Sequence, residues 1–169
     1  RVLYNSRGSK TIEVDVTTDG KYQGRVCAPS GASVGKFEAV SFPNNSPEES
    51  LSLLNQNSDK FIGIDSSDLK QVHDVIHSID ETDNYAKIGG ACAFAITIAA
   101  TESAAKVQNK QFFQMISGKS DLKFPFPLGN ILGGGAHAGP GTPDIQEILV
   151  ASIGAKTVRE SIDTNLQVH

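Results

Sequence analysis

Residues 11–17, TIEVDVT, alternate apolar and polar positions and are rich in β-branched side chains, so they are expected to form a half-buried strand. Asp19-Gly20 follows as a hairpin turn signal, and 21–28, KYQGRVCA, returns as the partner strand. The Tyr4 region supplies a third strand. Small residues and glycines interrupt the pattern at 29–35, PSGASVG, and a second break comes at 42–47, FPNNSP. Ser46 then offers an N-cap, Pro47 suits a first helical turn, and Glu49 completes a capping box for a helix over about 47–57.

Further on, the period lengthens. Residues 66–80 place Leu69, Val72, Val75, Ile76 and Ile79 on one face, which predicts an amphipathic helix. Residues 88–108 are dominated by alanine and other small side chains, so a helix there is expected to be buried on more than one side. A short helix over 111–117 should end at Gly118. The polar stretch Lys119 to Lys123 is the expected domain boundary. Beyond it, 124–132 and 144–153 read as strands flanking a glycine-rich segment, and 157–168 reads as a helix with Thr157 as N-cap. Sheet, then helices, then strands again predicts an α+β domain over 1–121, followed by the start of a second domain over 122–169.

Composition changes this picture little. A net charge of −4 argues against non-specific nucleic-acid binding, and the basic residues form no membrane-binding patch. No uninterrupted apolar run is long enough to span a bilayer. Cys27 and Cys92 have no metal-ligand spacing; both are expected to be buried, reduced thiols, which suits a cytoplasmic location. The chain starts at Arg1 already strand-like and stops at His169 within a predicted helix, as a fragment would.

Chemistry concentrates in two breaks. The first is 133–147, GGGAHAGPGTPDIQE, with five glycines and two prolines around His137, closed by Gln146 and Glu147. It lacks the Gly-Lys-Ser/Thr of a P-loop and no helix clearly follows it, so a phosphate cradle is weakly supported. A linking loop has no need of His137, the side chain that titrates near neutral pH. Glu147 opens an apolar strand, where a carboxylate faces solvent or turns inward for acid–base work. The second break, Ser30, Gly31, Ala32, Ser33, Val34 and Gly35, reads either as a strand-to-loop turn or as a flap whose serine oxygens suit a hard cation. His73 and His77 have the spacing of a zinc pair but no third ligand, and Arg7 reads as a surface or interface residue.

Five motifs in order resemble the enolase family (phosphopyruvate hydratases). They are NSRGSKTIEVDV (5–16), APSGASVGKFEA (28–39), DETDNYAKIGGACAFAITIA (80–99), PFPLGNILGGGAHAGPGTPDIQEILV (125–150) and GAKT (154–157). Departures include Asn5 for the family's usual Asp, Gly133 for its Asn, and one extra residue between His137 and Glu147. The resemblance implies a small α+β cap followed by the first elements of an incomplete β/α-barrel, whose site lies at the carboxyl ends of the barrel strands.

The resemblance also implies an activity, the reversible dehydration of 2-phosphoglycerate to phosphoenolpyruvate. Removing a weakly acidic proton beside a carboxylate needs a base and compensating charge; the resemblance implies that a lysine base and two Mg2+ ions meet that need. Matched residue by residue, Ser33 is implied as a ligand of the second Mg2+. His137 would lie near the phosphate and leaving hydroxyl, Gln146 would contact substrate, and Glu147 would act at the leaving hydroxyl. The base and the carboxylates of the first Mg2+ would lie beyond His169, so the 169 residues alone are expected to be inactive. The resemblance further implies a homodimer or higher oligomer. Two alternatives stay open: another enolase-superfamily member, or a non-catalytic interaction protein that kept the fold.

Overall fold

The computed structural model describes every residue except Ala32, Ser33, Ser120, Ala136 and His137. The chain divides into two compact units, Arg1–Lys119 and Ser120–His169.

In the first unit, β1 (Val2–Tyr4), β2 (Lys10–Thr18) and β3 (Tyr22–Cys27) form an antiparallel sheet in that order. Asp19 and Gly20 both have positive φ, 53° and 64°, the left-handed pair that the turn between β2 and β3 demands. Across the two strands Asp15 sits opposite Arg25, and its carboxylate accepts two guanidinium hydrogen bonds of 2.6 and 3.0 Å. α3 (Gly90–Val107) lies across β2 and β3. Its alanines permit that approach, and Ala95 and Ala99 are fully buried. α2 (Leu69–Asp80) presents Val72, Ile76 and Ile79 to the same core, which also holds Ile12, Val14 and Ile88.

α1 (Pro47–Gln56) is capped by half of the expected box. Ser46 accepts the N–H of Glu49, but the Glu49 side chain turns to the amide of Asn44. A 3-10 turn at Pro43–Asn45 already engages the Ser46 N–H through the Pro43 carbonyl, so no donor is left for Glu49. α4 (Phe112–Ser117) carries half of a box the sequence reading missed, the Gln114 side chain accepting the Gln111 N–H at 2.8 Å, and ends at Gly118 in the left-handed region. Cys92 is buried as expected, and burial pushes its thiol up to about 12. Cys27 is exposed, against expectation. Gly24, Val26 and Ala28 take the inward side of β3 and its exit, which turns Cys27 outward.

Asp80, at the end of α2, has no exposed surface. Its carboxylate accepts the N–H and hydroxyl of Thr82, the N–H of Lys87 at 3.0 Å and the N–H of Ile88 at 2.6 Å. Burial pushes this carboxyl up, but the hydrogen bonds from Ile88, Thr82 and Lys87 outweigh it and hold the pKa below the ordinary carboxylate value. A pKa lowered on folding adds stability above the unfolded value of about 4, lost as pH falls through the folded pKa. Asp80→Asn sets an NH2 group or an uncharged acceptor against these donors. It is expected to cost about 1–3 kcal/mol at neutral pH and to flatten the loss of stability below about pH 4. Urea midpoints at neutral and acid pH check this; a variant with an undiminished acid loss would remove Asp80 as its source.

The second unit contains β4 (Leu128–Gly133), β5 (Glu147–Ala151) and α5 (Val158–Val168). The strands pair antiparallel, with an irregularity between Asn130 and Leu132. β4 begins later than the pattern predicts, because Pro125 and Pro127 have no N–H to give a ladder. Thr157 caps α5 by accepting the Glu160 N–H. Asn165 donates to the Pro127 carbonyl at 2.9 Å, fixing α5 to the entry of β4.

Candidate functional site

The segment 29–41 leaves the sheet at Ala28, whose N–H bonds the Ile12 carbonyl. Ser30 stands at its start. The Ser30 hydroxyl accepts the side-chain amide of Asn5 at 2.8 Å, while the Asn5 oxygen accepts the N–H groups of Arg7 and Ser9. Gly31, Val34 and Gly35 are exposed, and the Lys36 ammonium lies over the Phe37 ring. Ala32 and Ser33 lie outside the described residues.

The far end of the segment is fixed by backbone. Val40 donates to the Asn84 carbonyl, and the first N–H groups of α3, from Gly90 and Ala91, reach the carbonyls of Val40 and Ser41 at 2.7 and 3.2 Å. Carbonyls thus serve where α3 has no capping side chain. Gly89 has φ 87°, and a Cβ on it would come within 2.6 Å of the Ser41 carbonyl. The Asp80 turn therefore holds a glycine pair against the return leg of the segment. A cleft of about 450 Å3 beside it is lined by Pro29, Glu38, Ser41, His73, Tyr85 and Phe94. A larger cleft, about 650 Å3, opens over β2 and contains none of the candidate residues. His73 and His77 are exposed on α2, and the His77 ring stacks on Tyr85 with centroids 5.5 Å apart.

In the second unit, Gln146 and Glu147 stand where the glycine-rich loop meets β5. Glu147 is exposed and pairs in register with Gly133; its Oε2 accepts the Asn130 amide at 3.4 Å. Gly134 donates to the Gln146 carbonyl and Gly135 to the Pro143 carbonyl, both at 2.7 Å. A Cβ on Gly134 would lie 2.4 Å from the Ile145 carbonyl. The glycines here serve close backbone approach, folding the loop back on its own exit. Thr142 closes it further by donating to the Gly139 carbonyl. His137 lies outside the described residues.

Asn5 and Asn130 are the site neighbours that sequence reasoning missed. Each is marked only by pairing across a turn or a ladder, which a linear motif does not display. Among the described residues, no group of three or more His, Cys, Asp or Glu gathers as a metal set. The described residues do not by themselves make a Mg2+ site.

The sequence model of the family described as "Enolase, N-terminal domain" matches residues 1–116. The chain belongs to the enolase family. It is 41% identical to the enolase of Methanosphaera stadtmanae over its whole length, and 39% and 37% identical to those of Methanothermobacter thermautotrophicus and Archaeoglobus fulgidus. In each case it spans 41% of the relative's length. The small antiparallel sheet with its helices is the fold expected of an enolase N-terminal domain, and no closed barrel is present among the described residues. None of the described helices is long and apolar enough to cross a membrane.

Proposed function

We propose that the full-length protein interconverts 2-phosphoglycerate and phosphoenolpyruvate. The observation that carries this reading is the similarity to enolases along the whole chain, which spans both the 28–39 motif and the His137–Glu147 loop. On this reading, residues 1–121 are the cap and 122–169 open the barrel domain. Gln146 contacts substrate, and His137 lies near the phosphate and leaving hydroxyl. Glu147 handles the proton at that hydroxyl, its Oε2 steadied by Asn130. Ser33 offers a hard oxygen to the second of two Mg2+ ions. That ion would supply compensation for negative charge on the substrate carboxylate. The protein acts in the cytoplasm as a homodimer or higher oligomer.

The test is phosphoenolpyruvate formation by the full-length protein from 2-phosphoglycerate with Mg2+. Activity is expected; its absence in a folded, metal-loaded preparation returns the chain to a non-catalytic role. Ser33→Ala should then raise the Mg2+ concentration needed for half-activation. The effect should be partial, because a backbone carbonyl remains. A superimposable activation curve would mean that Ser33 does not serve the metal.

A further inference from the structure

The side chain of Asn5 joins two pieces of chain that are 25 residues apart. Its orientation is fixed by its partners. The Arg7 and Ser9 N–H groups, at 2.9 and 3.0 Å, both need an acceptor, so the oxygen faces them and the NH2 group faces Ser30. The backbone repeats the link locally: Asn5 donates to the Ser9 carbonyl, and Gly8, at φ 73°, donates back to the Asn5 carbonyl. The 5–9 turn is therefore a braced platform. Ser30 rests on it at the point where the 30–35 segment leaves the sheet. The return leg, at Val40 and Ser41, is held separately by α3.

We propose that Asn5 is a positioning residue, which fixes the departure of the 30–35 segment through its hydrogen bond to Ser30. The proposal rests on the reading of that segment as part of an enolase site. An exposed hydrogen bond of this kind shifts a local equilibrium by about two- to tenfold. Aspartate at position 5 keeps the arrangement, because its second oxygen accepts from the Ser30 hydroxyl, which is free to rotate. Alanine at either position breaks it.

The experiment uses the full-length protein with Asn5→Ala, Ser30→Ala, the double variant and Asn5→Asp. Two readouts are taken: amide exchange over residues 28–31, and kcat and KM for 2-phosphoglycerate. Both alanine variants are expected to speed exchange at 28–31 and to lower kcat/KM by about two- to tenfold. The double variant should be no worse than Asn5→Ala, since both changes break one contact. Asn5→Asp should restore both readouts, which a general loss of stability would not predict. Ser30→Ala leaves the turn whole, so exchange at the Ser9 amide should stay slow in it. Wild-type exchange in both alanine variants, or additive losses in the double variant, would overturn the proposal. If the wild-type protein has no 2-phosphoglycerate activity, the proposed function falls. The exchange readout then still decides whether Asn5 holds Ser30.

Discussion

Glu147→Gln in the full-length protein is expected to lower turnover by about 10²–10⁴, the range typical of losing one acid–base group, while leaving substrate binding largely intact. Glutamine keeps the length of the side chain and can still meet Asn130, whose NH2 group would face the new amide oxygen as it now faces Oε2. The register of Glu147 with Gly133 depends on backbone and is unaffected. What is lost is the negative charge and the ability to take or give a proton. The expected signature is therefore a fall in kcat with KM nearly constant, together with an unchanged unfolding midpoint. Unchanged turnover would assign Glu147 to the exposed head of a strand and nothing more. A rise in KM alone would make it a binding group.

The first unit was legible where local chemistry decides. The alternation in TIEVDVT, the Asp19-Gly20 pair and the alanine-rich run each correspond to an element close to its expected place: β2, the turn and α3. Period-2 counting from Gly24 and Val26 also puts Cys27 outward, so the sequence carries that signal. What escaped depends on long-range pairing. Ser46 and Glu49 look like a full capping box until the 3-10 turn before them takes the Ser46 N–H. Asn5 and Asn130 look like ordinary loop and strand residues until a turn and a ladder bring Ser30 and Glu147 beside them. The composition of the glycine-rich loop shows how many glycines it holds but not what they do. Gly134 is where two stretches of backbone come too close for a side chain.

Gly24→Ala is expected to destabilise the 169-residue chain by about 3 kcal/mol, the upper part of the usual range for overpacking. The conformation of Gly24 needs no glycine: it lies inside β3 and is not among the positive-φ residues. On backbone entropy alone, alanine there would stabilise the chain by about 0.4–1 kcal/mol. The helix reverses that sign. A Cβ on Gly24 would lie 2.0 Å from the Ala99 carbonyl oxygen, 2.8 Å from the Ser103 nitrogen and 2.9 Å from the Ala99 carbonyl carbon. All three are backbone atoms of α3, so no rotamer change can relieve the clash. The helix must retreat from the sheet as a body, opening gaps around Ile12, Val14, Ala95 and Ile96, which pack together in one core. Gly8→Ala separates this cause from conformational strain. Its φ is 73° and nothing lies within 4 Å of its Cβ position, so only left-handed strain of about 1–2 kcal/mol applies. Urea unfolding of the two variants beside the parent chain should rank Gly24→Ala as the less stable. A Gly24→Ala midpoint at or above that of the parent would mean that α3 does not sit on β3 at this distance, and that its alanines serve something other than close packing.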